Sequence, residues 1–136
     1  MDLHFFFTDY VYNQDYMVVI TQSHKAFVDL VQKELKIALE VCPAAAGQFH
    51  GYECKKGRIG IIWVKDLEDT LVHECLHAAS WTLQSRGILI DSQGAEESWA
   101  YYLTFLVGHI RGMALQIKKD KKKTRKVGKK HETDKK

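Results

Sequence analysis

Residues 58–87 read RIGIIWVKDLEDTLVHECLHAASWTLQSRG, a β-rich run that passes through a short Lys65-Asp66 link into an apolar helical pattern. The run RIGIIWV (58–64) predicts a strand, and the change of period after it predicts a helix starting near Asp66 or Leu67. Asp66, Glu68 and Asp69 suit the positive end of a helix, and Gly87 suits its close. Inside that helix His73 and His77 stand four residues apart, one turn along a single face, with Glu74 beside them. Whether they share a metal ion or only pack decides what the domain does.

Upstream, LHFFFTDYVY (3–12) and DYMVVIT (15–21) are rich in aromatic and β-branched residues and flank a turn-like Asn13-Gln14-Asp15, which predicts two strands, as a hairpin. SHKAFVDLVQKELKIALEV (23–41) then takes a helical period through Phe27, Leu30, Val31, Leu35, Ala38 and Val41, with Ser23 as N-cap and Pro43 as the stop. FHGYECKKGRIGIIWV (49–64) predicts a second hairpin turning at Lys55-Lys56-Gly57. Downstream, AEESWAYYLTFLVGHIRGMALQI (95–117) predicts a final long helix. The order β-β-α-β-β-α-α is that of an α+β domain.

Charge divides the chain. Residues 118–136, KKDKKKTRKVGKKHETDKK, hold eleven Lys/Arg against three acids, a net of +8, while residues 1–117 hold nine against fourteen, a net of −5. A single domain over 1–117 is expected, followed by a Lys-rich disordered tail over 118–136. That tail is a solvated terminus or a weak contact for nucleic acid, and with no aromatic residue in it base stacking is not suggested. The start of the chain has neither the charged nor the long apolar region of a secretory signal, and no apolar stretch is long enough for a bilayer. Cys42, Cys54 and Cys75 are an odd set without CxxC spacing, so reduced thiols are expected, and Cys75 reads as a small buried hydrophobe. The chain reads as soluble and cytoplasmic, with no membrane partner.

The chemistry of H-E-x-x-H follows from its spacing. Two imidazoles on one helical face can ligate one zinc ion, and the intervening glutamate can take a proton from water activated by it. A catalytic zinc site needs a third protein ligand, and Glu96 and Glu97 open the next helix nineteen and twenty residues after His77. Taking Ala100, Leu103, Val107 and Ile110 as that helix's inward stripe puts Glu97 near its edge and Glu96 outward. Against this stands the plainer reading of both acids as residues favoured at a helix N-terminus. Tyr101 and Tyr102 are candidates for oxyanion stabilisation, with packing the more ordinary role of each. His109 lies about 120° round the helix from Glu97 and is not expected to be a ligand. His50 with Cys54 makes a weak second metal pair.

VHECLHAAS followed by ESWAYYL resembles the gluzincin metallopeptidases, in which a glutamate on a following helix completes the site. Glu97-Ser98-Trp99-Ala100 resembles the ExxA of some gluzincin groups, although Tyr101 stands where some of them carry Asp or Asn. The layout is similar to minigluzincins and to small phage-encoded zincin-like metallopeptidases, and the specific part of the likeness runs from about Arg58 to Val107. The resemblance implies a zincin-like minimal domain: a small mixed sheet packed on a backing helix, an active-site helix and a glutamate helix. It also implies one Zn2+ held by His73, His77 and Glu97, Glu74 as general base, and a peptide or protein substrate pairing with the strand RIGIIWV. In a phage-encoded chain, the cytoplasm would be that of the host. The other readings are a non-catalytic binding module on the same scaffold and a hydrolase of a non-peptide bond.

Overall fold

The computed structural model describes residues 2–133. Its elements are β1 (Leu3–Asp9), β2 (Gln14–Ile20), α1 (His24–Leu35), β3 (Gly47–Cys54), β4 (Gly57–Val64), α2 (Asp69–Ser85) and α3 (Ala95–Thr133). The fold is α+β: one mixed four-stranded sheet and three helices, in the order the sequence predicts. Each hairpin is antiparallel, β1 with β2 and β3 with β4, and the two meet where β2 runs parallel to β4, giving the sheet order β1-β2-β4-β3. The first turn is held by the Asp9 carboxylate, which accepts the N–H groups of Val11 and Tyr12, and by Asn13 at φ 51°. Asn tolerates that left-handed backbone better than most residues.

Both faces of the sheet are covered. On one, Met17, Val19, Ile61 and Trp63 pack against Phe27, Val28 and Val31 of α1. On the other, Tyr16, Val18, Ile20, Ile62 and Val64 meet Leu71, Cys75, Ala78 and Leu83 of α2 and Leu106 and Ile110 of α3. Burial on two sides is why the middle strands read as unbroken apolar runs, MVVI and IIWV, and not as an alternation.

Three boundaries differ from the expectation, each for a local reason. Helix α1 is capped as predicted, with the Ser23 hydroxyl accepting from the Ala26 N–H at 3.1 Å, but it ends at Leu35 and not near Pro43. Lys36 turns to φ 58° and its N–H closes on Gln32 O. Ile37 and Leu39 then lie half-buried against the Trp63 cluster, a two-residue spacing that suits extended chain and not a helix. Helix α2 starts at Asp69, after the Asp66 carboxylate accepts the Glu68 N–H and Leu67 O accepts from Arg111 Nε of α3. It closes as expected on Gly87, at φ 75°, with Gly87 N–H on Gln84 O and Ile88 N–H on Leu83 O, the paired bonds of a Schellman end.

Helix α3 departs furthest. Disorder was expected from residue 118, yet the helix continues to Thr133, as lysine and arginine permit; residues 134–136 of the expected tail lie outside the described residues. Its inward stripe is Ala95, Trp99, Tyr102, Leu106, Ile110 and Ala114; of the stripe Ala100, Leu103, Val107 and Ile110 read from the sequence, Ile110 lies on it and the other three fall one residue out of phase. The two amphipathic aromatics decide the phase: Trp99 Nε1 donates to Ile88 O at 3.2 Å, and Tyr102 reaches the sheet through its hydroxyl. Among the described residues no helix is long and apolar enough to cross a membrane.

Tyr16 joins these layers. Its hydroxyl lies 2.7 Å from that of Tyr102 on α3 and is bonded to the Thr82 hydroxyl on α2, all three groups being buried. Loss of solvation pushes the Tyr16 phenol up to about 12, against opposing help from its two hydrogen bonds, and burial pushes Tyr102 up as well. A phenol harder to ionise when folded stabilises the fold fully below its unfolded pKa, near 10, and that contribution drains away as pH climbs toward 12. Tyr16 alone accounts for about 3 kcal/mol over this window. The melting temperature should therefore fall steeply between pH 10 and 12, and Tyr16→Phe, less stable at neutral pH, should show a shallower fall in the same titration.

Candidate metal centre

Helix α2 turns Leu71, Cys75, Ala78, Ala79, Thr82 and Leu83 to the sheet and α3, which leaves His73, His77, Ser80, Trp81 and Gln84 on the side facing β3. These five, with Glu74, line one open trough against Gly47, Gln48 and Phe49 of β3. Its polar floor is the motif. His73 Nε2 and His77 Nε2 converge to 3.2 Å, and Glu74 Oε1 lies 3.9 Å from His73 Nε2. Two nitrogens about 2.0–2.1 Å from one tetrahedral zinc are about 3.3–3.4 Å apart, so the spacing suits a shared ion. A single N–H shared between the rings gives the same distance, so the spacing is a necessary condition.

The environments of the three groups differ. The His73 side chain is 69% exposed and that of Glu74 only 8%. Burial raises the Glu74 carboxyl above the ordinary range, and the two neighbouring imidazoles work against that rise. Glu74 is thus a nearly buried carboxylate at the edge of an open site, the setting in which a general base is tuned. Cys75, the next residue, is fully buried among apolar side chains, and desolvation pushes its thiol up to about 12. It packs, as expected, and takes no part in the trough.

β3 comes close to α2 because of its glycines. Gly47, Phe49 and Gly51 share the face of β3 toward α2. A Cβ on Gly47 would stand 2.9 Å from Glu74 Cγ and 3.1 Å from its Oε1, and one on Gly51 would overlap the Trp81 indole. Phe49 packs edge-on against Trp81 at 5.6 Å, while the Arg58 guanidinium covers the indole at 3.7 Å. The trough therefore has an aromatic end wall clamped between a strand and a cation.

The remaining candidates lie elsewhere. Glu97 is exposed on α3, about 160° round the helix from both Ala95 and Trp99, so the expectation that it sits at the edge of the inward face is corrected by the phase of that helix. Glu96 is exposed too, and neither lines the trough. Among the described residues no group of three His, Cys, Asp or Glu side chains is placed to hold a metal ion. The trough fits a metal at two donors and, as placed, lacks the third. Tyr102 is buried against Tyr16, and Tyr101 is exposed beside Val11 and Phe105, so neither tyrosine reaches the trough. His109 stacks on Phe105 and packs at a tilt against Phe7. His50 faces α1, stacked on Phe27, and its Nε2 has no partner. Cys54, its weak partner in the sequence reading, is exposed.

The rim strand also changes. The strand RIGIIWV is β4, paired on one side with β2 and on the other with β3, so it has no free edge for a substrate. The open edge beside the histidines belongs to β3. The sequence offered a signal for the missed residues: Ser80, Trp81 and Gln84 follow His73 and His77 at helical spacing, and Gly47 and Gly51 share a strand face.

Comparison with family models, curated proteins and solved structures gives no match.

Because the Gly47 Cβ has no room, Gly47→Ala should displace β3 from Glu74 and Thr70 and lower stability by about 1–3 kcal/mol, measured by urea denaturation.

Proposed function

We propose that this domain is a zinc-dependent hydrolase of peptide bonds, of the gluzincin type that its motif resembles. The observation that carries the reading is the convergence of His73 Nε2 and His77 Nε2 to 3.2 Å with the Glu74 carboxylate beside them, on the floor of a trough edged by the open border of β3. His73 and His77 supply two ligands. Glu97 is the carboxylate that the resemblance names as the third, and binding through it requires the first turn of α3 to approach the histidines.

A bound zinc ion would polarise the substrate carbonyl and bring the pKa of a water toward neutrality. With a metal bound, Glu74 would be the group placed to accept the proton such a water loses and to return it to the departing amine nitrogen. Its burial keeps the carboxylate out of bulk solvent and raises its pKa, which makes it a better proton acceptor. The free edge of β3 offers backbone N–H and C=O groups to an extended peptide, which would run past His73, Glu74 and His77. Phe49 and Trp81 form an apolar wall for one of its side chains.

The purified chain should carry close to one zinc per molecule, and His73→Ala should lose it, both read by elemental analysis. Glu74→Gln should keep the metal and lose peptide hydrolysis; retained hydrolysis would remove Glu74 from the mechanism. Metal bound without any hydrolysis by the wild-type chain would favour a second reading, a metal-holding binding module, which the separation of Glu97 from the histidines supports.

The third ligand is tested separately. Glu97→Ala should weaken zinc at least about ten-fold in a chelator competition while Glu96→Ala leaves it unchanged. Equal affinity in both variants would leave the two histidines as the whole protein donor set.

A further inference from the structure

Helix α3 does not end with the domain. Beyond Ile117 it carries sixteen described residues, Lys118 to Thr133, every one of them exposed. They include nine Lys/Arg and two acids, a net of +7, attached to a body whose net charge is −5. At about 100° per residue the nine cations fall within an arc of about 200°, and Asp120, Thr124, Val127, Gly128 and His131 share the rest, with Glu132 the one acid inside the basic arc. Two stripes run along it. Lys118, Lys121, Lys122 and Arg125 line a crevice with Asp2 and Leu3. Lys119, Lys123, Lys126 and Lys130 stand at i, i+4, i+7 and i+11 on the outer side, away from the body. Among the described residues none of these cations is held in an ion pair.

From this we propose that residues 118–133 form a rigid basic arm that binds duplex nucleic acid along its phosphate backbone without reading sequence. The arm spans about 24 Å at 1.5 Å per residue, a length of duplex that carries about fourteen phosphate charges. Its side chains favour phosphates over base readout: eight point-charge lysines to one arginine, with no Asn or Gln to pair with adenine and no aromatic residue to stack on a base from 118 to 133. A membrane surface fits less well, because an interfacial helix needs an apolar face and the arm's one large apolar residue is Val127. The outer stripe is the contact, since the inner one shares its crevice with Asp2 and a duplex approaching it would meet the acidic body.

The test is fluorescence anisotropy of a short labelled duplex of mixed sequence with the full chain across a salt series. Four phosphate contacts give a slope of log K against log salt of about −3.6, an affinity loss of about 150-fold between about 50 and 200 mM salt. The variant K119Q/K123Q/K126Q/K130Q keeps near-equal helix propensity and should bind at least about ten-fold more weakly with a shallower slope. A change of duplex sequence should leave the affinity within about two-fold. No binding by the wild-type chain at low salt, unchanged affinity in the variant, or tighter binding to phosphatidylserine vesicles than to the duplex would each overturn the proposal.

Discussion

The Tyr16 hydroxyl is the polar knot in an otherwise apolar interface, and the orientation of both large helices depends on it. A fully buried phenol must find partners, and it finds one on each helix, Thr82 and Tyr102. Thr82 lies on the buried side of α2, so the bond sets the azimuth of that helix about its own axis. With Thr82 turned inward, His73, His77 and Trp81 are turned toward β3. The ring itself sits over Gly60 of β4, where a Cβ would stand 2.7 Å from it, so only glycine leaves the ring its place. One strand residue, one helix hydroxyl and one glycine thus aim the motif before any side chain of the trough is considered.

The parts legible in the sequence are those fixed by local pattern. Both hairpins, the motif helix and its Gly87 end follow from β-rich runs, turn residues and a change of period, all within a few residues of the feature they explain. The convergence of His73 and His77 belongs to the same class, because helical geometry alone puts residues i and i+4 on one face. What failed needed tertiary information. The aliphatic residues of α3 predict one phase, whereas Trp99 and Tyr102 hold the inward side by combining apolar bulk with a hydrogen-bonding group that finds a partner. The free edge was assigned to β4 because it leads into α2, yet a parallel pairing with β2, more than forty residues earlier, buries it in mid-sheet. Nothing local in RIGIIWV records that neighbour.

The trough shows how small residues can shape a site without touching its chemistry. Gly47 and Gly51 have no side chain to contribute, yet their absence of one lets a strand lie against the helix that carries the motif. Depth comes from that approach, and the aromatic wall comes from the pairing of Phe49 with Trp81 under the Arg58 guanidinium. The same approach leaves Glu74 almost wholly out of water, so packing of the backbone and the protonation of a carboxylate are linked through one pair of contacts.

An open sheet of four strands has two unpaired borders, and each is a template on which a foreign strand can grow. The border at β3 lies beside the histidines. At the other border, Leu3 at the start of β1 and the preceding Asp2 share a crevice with Lys118, Lys121, Lys122 and Arg125. Four cations beside Asp2 and Leu3 make that end a poor landing place for a second copy of the chain, whose own β1 border would bring the same charges with it. One end of the β1 border thus carries a cluster of like charges, while the border at β3 lies open beside the histidines.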